Sequence, residues 1–352
     1  MTDITEQLRE RVLAAAVDKT PLRIRGGGSK DFYGNPPTGA LLDTTAHAGL
    51  VAYEPTELVV TVRAGTRLAE LEAALAEQGQ MLAFEPPHFG DAATVGGCVA
   101  SGLSGPRRAT AGSVRDFVLG VKLLDGKGEI LNFGGQVMKN VAGYDVSRLM
   151  AGALGTLGLL LEVSLKVLPK PPAEATLRLE LPQDKAIEAM NRWGGQPLPL
   201  SATCWNDGLL TVRLSGARAA VAAARGKIGG ESIVDAEGFW RGVREQQDDF
   251  FSGEAALWRL SLPSKTAPLA LPGEPLIEWG GALRWLTFDG PAAAGREAAA
   301  QAGGHATLFR GGDKSAGAFQ PLPAPLMAIH RNLKRNFDPQ RLFNPGRLYP
   351  EL

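Results

Sequence analysis

Residues Asp91–Ile130 read "DAATVGGCVASGLSGPRRATAGSVRDFVLGVKLLDGKGEI". Gly96 and Gly97 follow the extended dipeptide Thr94–Val95, and Gly102, Gly105 and Gly112 recur at neither helical nor strand spacing. The stretch 86–116 therefore reads as irregular chain, and irregular segments of that length usually serve function. Regular pattern returns only at its end. There "DFVLGVKLLDGKGEILNFGG" gives a strand, a turn at Asp125–Gly126 and a second strand.

A second glycine run lies upstream, in "PLRIRGGGSKDFYG" (Pro21–Gly34). Lys30 follows Ser29 and precedes Asp31, which is the wrong register for a Walker loop. The dinucleotide fingerprint fails too, because its third glycine would fall on Asp31. Gly26, Gly27 and Gly28 carry no Cβ, so successive amides can form a concave anion nest. A tight turn between two strands uses the same residues, and this stretch alone leaves both readings open. A ligand reaching both glycine loops would be an extended dinucleotide, and neither loop offers metal ligands.

Composition narrows the classes. The chain has 352 residues, enough for two domains, and 37 basic against 37 acidic side chains with no block of like charge. That argues against nucleic acid as a partner, since phosphate affinity needs a basic footprint. Cys98 and Cys204 are the only cysteines, too few for an iron–sulfur cluster or a disulfide framework. The start, "MTDITEQLRERVLAAAVDKT", has no signal-peptide core, and the apolar run Leu149–Leu161 falls short of the ~20 residues of a membrane span. The expected location is the cytoplasm, with any hold on the inner face of the cell membrane passing through partners.

Strands are expected at 22–25, 40–43 and 58–63, with a helix from Thr66 as cap, an apolar stripe of Leu68, Leu71 and Leu75, and a stop at Gly79. "VSRLMAGALG" reads as a short helix and "GLLLEVSLKVLPKPP" as a strong strand closed by Pro169, Pro171 and Pro172. Beyond those prolines the rhythm changes to antiparallel strands (175–181, 200–204, 208–214, 257–262, 283–288) with helices near 183–193, 217–227, 235–250 and 291–302, an α+β pattern. A last helix, 324–336, leads into "FDPQRLFNPGRLYPEL".

These pieces in this order resemble the FAD-binding domain of the vanillyl-alcohol oxidase superfamily, the p-cresol methylhydroxylase (PCMH) type. The resemblance runs from about Pro21 to Pro169 and again through "FDPQRLFNPGRL". It implies an α+β chain: a two-lobed FAD-binding domain (1–172), a smaller cap of antiparallel strands and helices (173–322), and a C-terminal helix and tail (323–352) returning to the first domain. It implies FAD bound by Arg25–Lys30 (Arg25, Gly26, Gly27, Gly28, Ser29, Lys30) and by Thr94, Gly96 and Gly97. Ser101 and Gly102 continue the second loop. Gly112 and Val114 stand where a later family glycine precedes a strand, and Gly158 and Leu159 belong to the "GTLG" element. Where the family often has threonine, two residues after Leu159, this chain has Leu161. No histidine lies in the first glycine loop for a covalent link, so dissociable FAD is expected, with His88 as a weak exception.

Within that superfamily, "KNVAGYDVSRLMAGALGTLG" is similar to the D-2-hydroxyacid dehydrogenases and best to the E-type FAD-binding subunits of bacterial glycolate oxidases. That implies glycolate oxidation to glyoxylate in company with a sister flavin subunit and an iron–sulfur subunit. Related dehydrogenases carry a histidine-rich "HxGDGNxH"-like stretch, whereas this chain has "HATLFRGGDKSAGAFQPL" with His305 and no second histidine. The expectation is accordingly that the substrate is oxidised mainly on the sister subunit. Weak catalytic candidates here are His305, Arg310 and Tyr144, and no metal site is expected. Other readings are a self-sufficient dehydrogenase of another small 2-hydroxy acid and a non-catalytic structural subunit. Two readings stand open for Tyr144 and Asp145: packing near the flavin ring, or a cap by Asp145 on the helix after it. Cys98 reads as a buried small apolar residue, Arg107 and Arg108 as exposed, and His330 as a surface residue of the last helix.

Overall fold

The strand Leu159–Lys166 explains the strongest apolar run in the chain, because both of its faces are covered. Leu160, Val163 and Leu165 belong to one core with Leu68, Leu71 and Leu75 of the helix Leu68–Glu77. Leu159 and Leu161 belong to another, with Leu8 and Val12 of the N-terminal helix Ile4–Asp18. The computed structural model describes residues 4–135 and 145–352. In it this strand is the centre of a five-stranded antiparallel sheet, ordered Leu50–Glu54, Val59–Arg63, Leu159–Lys166, Val118–Leu124, Ile130–Gly134. The expected helix forms with its stripe inward, but Thr66 does not cap it. Arg67 holds the cap position with no side-chain bond, and Thr66 Oγ1 instead accepts from the Gly49 amide at 2.8 Å.

Against this sheet lies a smaller lobe. The strands Leu22–Arg25 and Ala40–Asp43 pair in parallel, and Phe343 from the chain's far end extends the pairing at Leu22. The return of the tail is fixed by a buried latch. Lys334, in the helix Ala324–Phe337, donates to Asp338 Oδ2 (2.8 Å), to the Thr156 carbonyl (2.7 Å) and to the Phe343 carbonyl (2.8 Å). Asp338, fully buried, also accepts from the amides of Leu342 (2.9 Å) and Phe343 (2.7 Å). Every oxygen of the carboxylate and the ammonium head is thereby compensated, the condition under which charge can be buried at all.

The second half forms an eight-stranded antiparallel sheet. Its order is Glu231–Ser232, Ala173–Glu180, Leu209–Gly216, Leu200–Asn206, Leu276–Glu278, Leu283–Thr287, Leu257–Ser261, His305–Arg310. Glu231–Ser232 and Leu276–Glu278 are too short to show alternation, and His305–Arg310 begins directly after Gly303–Gly304; none of the three is legible as a strand in the sequence. Two more readings change. The stretch 86–116 holds three short helices, Val95–Ser101, Arg108–Ala111 and Val114–Phe117, each below the length at which helical period shows. "VSRLMAGALG" yields only a 3₁₀ turn, Ser147–Met150, because Gly152 and Gly155 take positive φ (87° and 69°).

The two sheets meet through an aromatic core and a buried ionic one. Phe309 of the last strand packs against Phe32 (5.4 Å between centroids), Tyr33 (5.1 Å) and Trp285 (4.9 Å). Arg107 and Arg213 share Glu85, at 3.2 and 2.8 Å, and Arg107 also reaches Glu174 at 2.6 Å. Arg107 is thus buried and paired, contrary to the expectation of an exposed side chain. Arg108 is exposed, its guanidinium stacked 4.4 Å from the Trp279 ring centroid. Replacement of Asp338 by Ala is expected to cost about 3–5 kcal/mol of stability, since it strands the Lys334 ammonium and two amides in the interior. Denaturant unfolding measures this, and a cost below 1 kcal/mol would contradict the latch.

Candidate functional site

The cleft between the two lobes of the first half is where the two glycine loops meet. It comprises about 940 Å³ of space counted out to its solvent mouth, and is lined by Arg25–Asp31, Thr94, Gly96, Gly97, Ser101, the run Ala153–Leu160 except Thr156, and Asn344 and Arg347 from the tail. The loops touch backbone to backbone. A Cβ on Gly27 would lie 1.5 Å from the Ala92 carbonyl oxygen, and one on Gly26 would lie 2.3 Å from Thr94 Oγ1. Gly96 is as tightly placed, 2.8 Å from Ala64 Cβ. No side chain fits at any of the three positions.

The amides of the two loops differ in state. Val95 donates to the Thr66 carbonyl (2.9 Å), Gly96 to that of Ala64 (2.8 Å) and Gly97 to Thr94 Oγ1 (3.2 Å). In the first loop, the amides of Gly26, Gly27, Gly28, Ser29 and Lys30 have no acceptor among the described residues. Five consecutive unpaired donors on the wall of a cleft are the nest geometry that an anion satisfies. The second loop acts as the wall that holds the first in place.

Side chains around the nest supply positive charge and bracing. Arg25 crosses over Gly28, where φ is 72° and a Cβ would sit 2.2 Å from the guanidinium, and it pairs with Asp31 at 3.0 Å. Arg23 pairs with the same carboxylate. Lys30 is not solvated: its ammonium donates to the His88 carbonyl (3.0 Å) and lies over the Phe89 ring, and burial holds it below the usual lysine range. Two tail residues that the sequence reading did not name complete the floor. Asn344 accepts from the Ile24 amide (2.8 Å) and donates to the Leu154 carbonyl (2.6 Å). Arg347, buried and brought down to about 10 by that burial, donates to the Asp31 (2.9 Å) and Asn35 carbonyls. Their signal was present in "FDPQRLFNPGRL", quoted above without residues singled out.

Three expected cofactor residues do not line this cleft. Gly102 closes the helix Val95–Ser101 with φ 68° and lies against Gly152. Gly112 (φ 105°) lets the chain turn beside Asp116, and Val114 is a core residue whose amide donates to Ser104 Oγ at 3.0 Å. Among the catalytic candidates, Tyr144 lies outside the described residues. His305 starts the edge strand of the large sheet, exposed, and Arg310 donates to the Phe251 carbonyl at 3.3 Å; neither lines the cleft. Asp145 lies one residue before the cap position, which Val146 holds, and accepts from Ser147 Oγ (2.7 Å) and the Arg148 amide (3.3 Å) of the turn. His88 pairs with Glu72 at 2.9 Å, and His330 Nδ1 meets the Leu326 carbonyl within the last helix. Cys98 and Cys204 are buried, and burial pushes the Cys98 thiol up to about 12. Among the described residues no cluster of three His, Cys, Asp or Glu could hold a metal.

The family model of an FAD binding domain matches residues 3–134, which contain both loops. Glycolate oxidase subunit GlcE of Escherichia coli (strain K12) is 53% identical over 350 residues, 99% of either chain. The chain belongs to the GlcE family. Matches to Glycolate oxidase subunit GlcD of Bacillus subtilis (30% identical) and a D-lactate dehydrogenase of Archaeoglobus fulgidus (33%) cover about half of this chain, and 37% and 40% of those proteins. Among solved structures, alkyldihydroxyacetonephosphate synthase aligns with a TM-score of 0.67 over 97% of this chain and 75% of its own, at 14% identity, which shows the shared fold.

FAD is this family's cofactor, and the cleft fits it: an anion nest of unpaired amides, glycines without room for side chains, and an apolar floor from Leu154 to Leu160. Gly27→Ala is expected to weaken FAD binding by about 10–100-fold, because the loops must part or strain by 1–3 kcal/mol. Gly194→Ala, with open space around it, serves as the control and leaves affinity unchanged. Flavin fluorescence titration reads both.

A different buried group bears on pH dependence. Glu278, at the end of the strand Leu276–Glu278 in the large sheet, accepts from Trp285 Nε1 at 2.8 Å, and burial raises its carboxyl from 4.5 to about 7. The folded state therefore binds a proton that the unfolded chain has already lost. Stability falls as pH rises between about 4.5 and 7, by at most about 1.4 kcal/mol per unit, and is lower throughout above 7. Glu278→Gln is expected to flatten that slope in unfolding curves taken across this window; an unchanged slope would contradict it.

Proposed function

We propose that the chain is the FAD-carrying subunit of a glycolate-oxidising complex, taking part in the conversion of glycolate to glyoxylate. The observation that carries this reading is the 53% identity across 99% of both chains to a glycolate oxidase subunit, joined to a cleft whose free amides match the cofactor. Held in this cleft, FAD would supply a two-electron acceptor for the hydride of a hydroxyl-bearing carbon, the hydroxyl proton going to solvent. The chain's own residues hold the cofactor's anionic centre at Gly26–Lys30, brace that loop through Arg25 and Asp31, and keep the tail closed over it through Asn344 and Arg347. The chain's two buried cysteines are too few to ligate an iron–sulfur cluster, and in this reading the electrons pass onward to an iron–sulfur partner subunit. Among the described residues no helix is long and apolar enough to cross a membrane; in this reading, any hold on the membrane runs through the partners.

Affinity purification of the tagged chain under native conditions, with flavin and iron assayed on the eluate, tests this reading. The expected result is about one FAD per chain and co-elution of an iron-containing subunit, the eluate reducing an artificial acceptor with glycolate. A flavin-loaded chain that elutes alone from its native host, while glycolate oxidation stays in the flow-through, would overturn it.

A further inference from the structure

Two charged side chains of the second half reach across and grip the main chain beside the two glycine loops. One is Lys314, on the loop that follows the edge strand His305–Arg310. Its half-buried ammonium donates to the carbonyls of Phe32 and Gly34, the latter at 3.0 Å, just beyond Lys30. Burial and the Arg347 guanidinium beside it bring the group down to about 8, so it carries its charge at neutral pH. The loop that presents it is itself braced. Asp313 accepts from the Ser315 amide (2.8 Å) and hydroxyl (2.6 Å), and Arg296 of the helix Ala292–Gln301 donates to the Ala316 (3.1 Å) and Gly317 carbonyls. Ala318 then donates its amide to Asn35 Oδ1 at 2.7 Å. The other grip is Glu245, the last residue of the helix Ala236–Glu245. Its carboxylate accepts from the amides of His88 (3.0 Å) and Phe89 (2.8 Å), shortly before Ala92, whose carbonyl abuts Gly27. Lys30 joins the two flanks through its bond to the His88 carbonyl.

Both grips fall on backbone that runs directly into the cofactor cleft. The Asp31 amide donates to the Gly28 carbonyl (3.1 Å) and the Tyr33 amide to that of Lys30 (3.0 Å), so a shift at Phe32 or Gly34 is passed turn by turn into the nest. A cation on carbonyls and a carboxylate on amides make charge-assisted bonds, stronger than neutral ones. Another contact between the halves, Arg108 on the Trp279 ring, touches neither flank. We propose that Lys314 and Glu245 are positioning residues of the cofactor site: the second half clasps one flank of each glycine loop, and FAD leaves faster when either hold is lost. Neither side chain lines the cleft, so each acts through the main chain it holds. The stretch that lacks the second histidine, His305–Leu322, thereby supplies a cation that steadies the first glycine loop. This rests on the cleft holding FAD and is independent of the substrate.

The test is the rate at which the full, FAD-loaded chain releases its flavin on dilution, read by flavin fluorescence. Lys314→Met and Glu245→Ala are each expected to speed release about tenfold, the worth of the charge-assisted bonds lost on one flank. Lys314→Arg keeps a charged donor and Glu245→Gln keeps an acceptor, and both should stay within about threefold of the parent. Arg108→Ala removes a contact between the halves away from both flanks and should release FAD as the parent does, which separates the clasp from a general loosening. In the FAD-free chain, amide exchange at Asp31 and Tyr33 should quicken in Lys314→Met and stay slow in Lys314→Arg. Unfolding midpoints of the FAD-free variants establish that they are folded; should Lys314→Met not fold, Lys314→Gln takes its place with the same expected acceleration. Release at the parent's rate from either truncated variant, or an equal acceleration by Arg108→Ala, would overturn the clasp and leave the cofactor and the subunit role standing. A parent chain that takes up no FAD would overturn the clasp and the cofactor reading together.

Discussion

The architecture of the cleft between the glycine loops depends on one steric contact, the backbone of Gly27 against the carbonyl of Ala92. No side chain can intervene at that point, so main-chain atoms of the two loops meet directly. The consequence is an asymmetry of hydrogen bonding. The amides Val95–Gly97 are spent on holding the second loop to Ala64 and Thr66, whereas those of Gly26–Lys30 are left without acceptors. On the wall of a cleft such donors are left to water or to a ligand, and an anionic pyrophosphate would meet several at once. Side chains then hold the shape: Arg25 lies over Gly28, Asp31 anchors two arginines, and Lys30 reaches across to the segment before the second loop.

The tail performs a comparable function from the other end of the chain. Asn344 and Arg347 sit on the first strand and first loop, and the Lys334–Asp338 pair fixes the segment that carries them. Residues more than three hundred positions apart thus form one floor. Deep burial of these charges costs free energy that only their complete hydrogen bonding offsets, so the latch specifies position as much as it stabilises.

The glycines of both loops, the strand Leu159–Lys166 and the tail signature were legible in the sequence because each is a local pattern: residues without side chains, a continuous apolar run, a string of punctuating residues. Three features were hidden for physical reasons. The helices between Val95 and Phe117 are shorter than the window in which a 3.6-residue period can be seen. The edge strand His305–Arg310 has four buried residues in a row, Ala306–Phe309, in place of alternation. The burial of Arg107 arises from Glu85, Glu174 and a sheet formed by residues far along the chain, which no local pattern reports.

Residue-resolved amide hydrogen exchange, with and without FAD, tests the central claim most directly. Without cofactor, the amides of Gly26–Lys30 should exchange quickly and those of Val95–Gly97 slowly, as their partners dictate. On adding FAD, protection should appear at Gly26–Lys30 and change little at Val95–Gly97. Protection gained at the second loop with the first unchanged would contradict the division of labour between the two glycine loops.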